Sequence, residues 1–258
     1  MNVAVIGGTG TFGRHAVAEL TRRGHTVRVL SRTAQPDTAV EHRAVDLLTG
    51  AGLSAGLEGA EVVVDAANAQ GRSMRELLVG GTRRLAEAGA RAGVGHHVLI
   101  SIIGIEAVPT GYYGAKLEQE AALAAVAGDA LAHTVLRATQ FHQLLDWAFS
   151  TTARSGMLPG GRIVLQPVDP ADVAVRLAEL IERGPGEGRV ELAGPEVVTL
   201  GQLAREWRAA RGVRRLIIPV PPAARMIRAL QAGALTSTTA PRGQRTFSDW
   251  LRTEYPRA

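Results

Sequence analysis

The chain has 258 residues, 46% hydrophobic and 21% charged, ordinary globular usage that excludes global disorder and allows one sizeable domain or a domain with a small appendage. It has no cysteine, which excludes a disulfide scaffold, a thiolate metal site and a cysteine nucleophile, and fits a reducing, cytoplasmic compartment. The net charge of +5 is unevenly placed: residues 199–258 hold 11 Arg against 3 acids, residues 1–198 hold 18 basic against 21 acidic residues, so the C-terminal segment either attracts an anionic partner or presents a solvated arginine face.

Val3–Ile6 reads as a strand, and Phe12, Ala16, Val17 and Leu20 recur behind it at helical spacing until Gly24. Val27–Leu30, Val40–Val45 and Val62–Val64 make the next three strands. A long helix from Ser73 to Ala92 ends at Gly93 and Gly95, Val98–Ile103 is the fifth strand, and Tyr113–Val126 is helical. Thr134–Leu136 begins the sixth strand, followed by a helix from Phe141 to Ala153. Strands alternating with helices of this length predict an α/β, Rossmann-type, doubly wound parallel sheet, and the nearly all-apolar strands fit a sheet covered on both faces. After Thr151 the rhythm breaks into a short strand, a returning strand at "GRVELAG", a helix capped by Thr199, an extended "RRLIIPVPP" and another helix at "AARMIRALQAGAL". The expected organisation is an α/β sheet domain over 1–150 and a C-terminal part over 151–258, which completes the sheet and forms a small substrate lobe within one structural unit. No apolar run approaches the ~18 residues of a membrane span, and no signal-peptide pattern is present, so neither a membrane nor a secretory route is expected. No nucleic-acid motif accompanies the arginines, so no nucleic-acid partner is expected either.

Gly7, Gly10 and Gly13 form G-x-x-G-x-x-G between the first strand and the first helix, the setting a dinucleotide fingerprint requires. Bare backbone lets a phosphate reach amide N–H groups at a helix N-terminus, where the aligned dipoles carry about half a positive charge. Thr9, Thr11, Phe12 and Arg14 belong to the same loop and first turn. The second strand ends in Ser31 and Arg32 rather than in an acid. A carboxylate there would repel a 2′-phosphate, whereas a guanidinium grips one, so NADP(H) is expected over NAD(H), with Arg14 assisting.

The stretches "VAVIGGTGTFGRH", "VRVLSR", "AVDLLTG", "VVVDAAN", "VLISIIG", "YYGAK" and "LRATQFH", in that order over roughly residues 3–142, resemble an atypical short-chain dehydrogenase/reductase of the NmrA-like group. The resemblance implies that Asp46, followed by Leu47, contacts the adenine, and that Ala66, Ala67 and Asn68 line the ribose and nicotinamide. It implies a metal-free site with Tyr112 as proton donor, Lys116 one turn on as its tuner and ribose ligand, and Ser101 as an anchor for the substrate oxygen. Tyr112 needs its reference pKa of about 10 lowered to act near neutrality, which a neighbouring ammonium can do; Tyr113 is the adjacent alternative. Gln140, Phe141 and His142 are candidates to face the substrate. Trp147, Phe149, Met157 and Leu158 either line an apolar pocket or pack. Asp169 and Asp172 are expected at a helix N-terminus, and His96 and His97 are not expected to be ligands. The expected function is NADPH-dependent hydride transfer to a carbonyl, quinone or conjugated double bond of a small organic substrate, by a monomer or homodimer. Two alternatives remain: an NADP(H)-sensing regulatory protein without catalysis, and an epimerase or dehydratase of the same fold.

Overall fold

A computed structural model describes residues 1–33, 40–127, 131–186 and 188–256. The described elements follow the expected alternation: β1 (Asn2–Ile6), α1 (Thr11–Arg22), β2 (Thr26–Ser31), β3 (Glu41–Ala44), α2 (Leu53–Leu57), β4 (Val62–Asp65), α3 (Gly81–Ala92), β5 (His96–Ile102), α4 (Gly111–Ala127), β6 (Ala132–Ala138), α5 (His142–Ala153), β7 (Met157–Gly160), β8 (Val164–Leu165), α6 (Pro170–Arg183), β9 (Arg189–Leu192), β10 (Val198–Thr199), α7 (Leu200–Ala210), β11 (Leu216–Pro219), α8 (Arg225–Gln231) and α9 (Phe247–Glu254). The helix expected from Ser73 begins as a π-type turn over Glu76–Gly80 and becomes α-helical only at Gly81. The short α2 carries too few residues to show a helical period, and the sequence did not announce it.

A seven-stranded sheet runs in the order β3-β2-β1-β4-β5-β6-β9. β1 pairs in parallel with β2 on one side (Val5↔Val29) and with β4 on the other (Val5↔Val64), and β2–β3 and β4–β5 are parallel as well. Val3, Val5, Val63 and Val64 are all 1% exposed or less, the signature of strands covered on both faces. The strand order reverses at β1, so the crevice beyond the carboxyl ends of β1 and β4 is where an open α/β sheet binds its ligand. Both motifs that matter, Gly7–Gly13 and Asp65–Asn68, leave the sheet at that point.

The chain forms two compact units interleaved along the sequence. The first comprises Met1–Ser101, Pro109–Arg137 and Ala174–Val190, the second Ile102–Val108, Ala138–Val173 and Glu191–Ala258. The first unit is centred on a core that includes Ile6, Leu30, Leu57, Val63, Leu85 and Leu99. In the second, β7 pairs in parallel with β11 and β8 antiparallel with β10. Thr199 caps α7 as expected, its Oγ1 accepting from Gln202 N at 3.2 Å, and Thr246 caps α9 by accepting from Asp249 N at 3.0 Å. Asp169 caps the start of α6 through Ala171 N at 2.9 Å. Asp172, in the first turn of α6, accepts the amides of Gln244 at 2.7 Å and Arg245 at 3.2 Å and so ties down the loop before α9.

Candidate active site

Gly7 sits at φ +74°, and a Cβ there would stand 2.7 Å from the carbonyl oxygen of Ala66, the residue that leaves β4. The N–H of Gly7 donates to Leu30 O at 3.1 Å and that of Gly10 to Gly7 O at 2.9 Å, which closes the loop tightly against β2. A Cβ on Gly13 would run into the Gly7 carbonyl oxygen and stand 2.7 Å from Gly8 Cα. Gly13 is therefore what lets α1 lie directly on the loop. The N-cap of α1 is Gly10, with no side-chain cap and no acid in the first turn. Its N-terminal dipole thus faces the loop without a carboxylate of its own, the arrangement a dinucleotide pyrophosphate fits.

Around this cradle the other expected contacts fall as follows. Thr9 and Thr11 are exposed. Phe12 is buried in the core at 6% exposure, so only its main chain faces the loop. Arg14 is exposed and donates Nη1 to Thr9 O at 3.3 Å. Arg32 is exposed at the end of β2, beside Ser31, whose Oγ donates to Thr33 O at 2.7 Å. Asp46 is half-buried and folds its own loop by accepting Leu48 N at 2.8 Å, while the buried Leu47 is held by Arg84 Nη1, which donates to its carbonyl at 3.2 Å. Ala66 and Ala67 are half-buried, and Asn68 is exposed.

Tyr112 stands beside Asn68, so α4 and the loop after β4 bring two of the expected site residues together. Burial pushes the Tyr112 phenol up to about 12, Tyr113 adds to the rise, and Asn68 opposes it. The two tyrosine rings meet edge-on at 5.7 Å, and burial raises Tyr113 as well. The expected lowering of Tyr112 by a neighbouring ammonium is thus not what the protein alone supplies. Lys116 is the only lysine in the chain, and it is 4% exposed. Its Nζ donates to Ile100 O at 2.7 Å and to Gln119 Oε1 at 2.6 Å. Burial lowers Lys116 to about 8, against the opposing pull of Asp65 and Glu120. Ser101 is 3% exposed, and its Oγ donates to Glu120 Oε1 at 2.5 Å. The expected triad is therefore split: Tyr112 stands at the post-β4 loop, while Ser101 and Lys116 turn into the interior.

That interior holds residues the sequence reading missed. Asp65, fully buried at the end of β4, accepts from Thr82 Oγ1 at 2.5 Å through Oδ2 and from Ala67 N at 3.1 Å through Oδ1. Gln119 donates Nε2 to Thr82 Oγ1 at 2.8 Å and accepts from Lys116 with its other end. A continuous polar chain thus runs from Ile100 through Lys116, Gln119, Thr82 and Asp65 to the amide of Ala67, beside the glycine loop. A second buried group lies one turn along α4: Glu120 receives Arg137 in a two-pronged contact at 2.9 and 2.6 Å. The signal available in the sequence was the acid closing "VVVD" and the single lysine among 29 basic residues.

The residues expected to face the substrate turn into the packing of the second unit. Gln140 uses both ends of its amide, donating to Leu235 O at 2.9 Å and accepting from Gln166 N at 3.0 Å. His142 is fully buried against Phe247 and Trp250, with ring centroids at 5.6 and 5.8 Å, and burial drives it down to about 4. Phe141 is half-buried and bridges to Val168 through its main chain. Phe149 and Leu158 are core residues, whereas Trp147 and Met157 are 58% and 44% exposed. His97 is buried, and burial lowers it to about 4.

Comparison with known proteins agrees with this geometry. The model of the NAD(P)H-binding family matches residues 7–183. The fold matches the NADPH-dependent quinone oxidoreductase of Escherichia coli, solved with NADPH, at a TM-score of 0.79 and 20% identity over 98% of this chain and 99% of that one. It also matches a UDP-glucose 4-epimerase of Thermotoga maritima at 0.78 and 18% identity over 99% and 98% of the two chains. In sequence, the photosystem II assembly factor Ycf39 of Synechocystis is 32% identical over 111 residues, 40% of this chain and 34% of that protein, so the match spans about a third of the relative's length. Cradle, sheet order and family match agree: the chain belongs to the NAD(P)H-binding family.

Proposed function

We propose that the protein is an NADPH-dependent oxidoreductase acting on a carbonyl, quinone or conjugated double bond of a small organic molecule. Residues Gly7–Gly13 and the start of α1 hold the pyrophosphate. Arg32 and Arg14 hold the 2′-phosphate, and the Asp46–Leu47 loop holds the adenine. Ala66, Ala67 and Asn68 hold the nicotinamide half. The reduced nicotinamide supplies the hydride when bound. The chain supplies position and a proton: Tyr112 Oη donates to the substrate oxygen, and Asn68 fixes where that oxygen must stand. Lys116, through Gln119 and Asp65, holds the Ala67 amide and with it the floor of the site. Ser101 acts through Glu120 on α4.

The glycine cradle carries this reading, because it leaves bare main chain at the start of α1, and Tyr112 beside Asn68 sets an acid group by the loop that follows β4. The quinone oxidoreductase among the structural matches supports NADPH as cofactor and quinones as first substrates to try. The test is NADPH oxidation with a panel of quinones, ketones and enones, by wild type and Tyr112→Phe. Turnover that falls by at least about a hundredfold in the variant, with cofactor affinity unchanged, supports the assignment; equal turnover removes Tyr112 from the chemistry. Net NADPH consumption excludes a simple epimerase.

A second reading has its own support. The inward bonds of Ser101 and Lys116 and the raised Tyr112 are what a cofactor-binding protein without catalysis would keep. The assembly factor among the relatives is in line with such a role. Tight NADP(H) binding with no turnover on any substrate class favours it.

A further inference from the structure

A second surface lies within the second unit, away from any role assigned above. β7 and β11 form a two-stranded parallel ribbon with Leu216↔Met157 and Ile218↔Pro159 in register. Registered partners and alternate residues of a strand point to one side, so these four side chains share a face. Leu216 is 72% exposed, and Ile218 and Met157 are 44% exposed each. The opposite face is the packed one: Leu158 is fully buried, a Cβ on Gly160 would run into the Ile217 side chain, and α7 lies against both strands. The ribbon is therefore well anchored, and its outward apolar face has no structural task of its own.

The segment that carries β11 is one-sided in charge. No Asp or Glu occurs between Glu206 and Asp249, while that stretch carries eight arginines. Arg214 and Arg215 immediately precede Leu216, and Arg154 stands three residues before Met157. Arg154 and Arg214 are exposed and have no carboxylate partner among the described residues. Aliphatic side chains flanked by arginines match an anionic lipid surface, where the chains enter the acyl boundary and the guanidiniums meet phosphates.

Two features argue against the other occupants. A second copy would bring the same arginines against these, and each strand of the ribbon carries a proline, Pro159 in β7 and Pro219 in β11, which cannot donate to an added strand. A nucleic acid would need stacking rings or base-reading polar groups on the face, and Leu216, Ile218, Met157 and Pro159 provide neither. We propose that the β7–β11 face, with Leu216, Ile218 and Met157 at its centre and Arg154 and Arg214 beside it, docks the protein on an anionic membrane surface. No described helix is long and apolar enough to cross a membrane, so the association is peripheral. The expectation of no membrane partner rested on the lack of a spanning segment, a criterion blind to this mode.

The test uses the full chain and vesicles of phosphatidylcholine, alone or with phosphatidylglycerol, in co-sedimentation. Binding to the anionic vesicles should exceed that to neutral ones by at least about tenfold and weaken as salt rises. The Leu216→Glu/Ile218→Glu double variant should lose that binding by about tenfold or more. Its thermal midpoint and NADP(H) affinity should stay those of the wild type, because both side chains face solvent. Val175→Glu, at an exposed apolar position of the first unit, should bind vesicles as the wild type does. No binding to anionic vesicles, equal binding to both compositions, or full binding by the double variant overturns the proposal. So does a double variant that instead changes oligomeric mass in gel filtration, or wild-type protein that prefers an oligonucleotide to the vesicles.

Discussion

Lys116 should make the protein more stable as pH rises above 8, the reverse of what a surface lysine does. Its amine is lowered from the ordinary 10.5 to about 8, first by burial, with Asp65 and Glu120 recovering part of the loss. The unfolded chain therefore binds this proton more tightly than the folded one. Below pH 8 both states are protonated, and the folded state carries a penalty of about 3 kcal/mol, taken at ~1.4 kcal/mol per pH unit over the lowering. Between pH 8 and 10.5 the folded state releases the proton while the unfolded state keeps it, so the unfolding free energy climbs by up to ~1.4 kcal/mol per pH unit. Above 10.5 the contribution is flat. The assay is urea unfolding from pH 7 to 10 of wild type and Lys116→Met, read as the difference between the two curves. Tyrosines titrate in both proteins and cancel; the offset from leaving the Ile100 carbonyl and Gln119 short of a partner changes the level of the difference, not its upward bend. A difference that is level or falls with pH would show that Asp65 and Glu120 outweigh burial, and would refute the reasoning. The same logic explains the residue choice: arginine, used at the other 28 basic positions, cannot shed its proton in a dry site.

Gly13→Ala should cost about 1–3 kcal/mol of stability and weaken NADP(H) binding by about tenfold or more, because its Cβ meets backbone rather than a movable side chain; unchanged affinity in a nicotinamide fluorescence titration contradicts the cradle. Arg32→Ala should weaken NADP(H) about tenfold or more and leave NAD(H) unaffected, since only the 2′-phosphate meets the guanidinium; an equal loss for both cofactors assigns Arg32 elsewhere. Arg137→Met should destabilise by about 3–5 kcal/mol by stranding the buried Glu120 carboxylate, a fall of roughly 10 °C in Tm for a chain of this size. A loss under about 1 kcal/mol would mean that Arg189, 3.8 Å from the same carboxylate, takes over the pairing.

The fold was legible because its evidence is local and periodic. Val3–Ile6 followed by Gly7, Gly10 and Gly13 states a strand, a tight turn and a helix start within a dozen residues, and the alternation that follows states a parallel sheet. Thr199 was legible as a cap for the same reason. Tertiary direction was not. Whether Ser101 points outward or toward Glu120 depends on a residue 19 positions away on another element. The i, i+4 spacing of Tyr112 and Lys116 gives them one helix face but not one partner. Gln140 and His142 follow a strand end, as ligand-facing residues do, yet α9, contributed by the last residues of the chain, covers His142 with Phe247 and Trp250. Asp65 went unread because a single acid after three valines looks like the end of a strand, and its partner Thr82 lies 17 residues on.

Catalyst and sensor differ at one atom, the Tyr112 hydroxyl oxygen. Held at about 12, the phenol is fully protonated near neutrality, which a donor needs before it acts. Once the proton leaves, a phenolate at pH 7 lies about 7 kcal/mol uphill of proton exchange with solvent, against about 4 for an ordinary tyrosine. The protein alone therefore makes Tyr112 the weaker acid by about 3 kcal/mol, and catalysis requires that difference back from charge brought by the bound complex or from Lys116 turning away from Ile100 O. A catalyst must show that recovery as a fall in Tyr112-dependent turnover between pH 8 and 10, because the donor is then lost well below 12. Turnover level up to pH 10 and insensitive to Tyr112→Phe means that the phenol was never recruited, and the buried bonds of Ser101 and Lys116 then describe the working state of a binding protein.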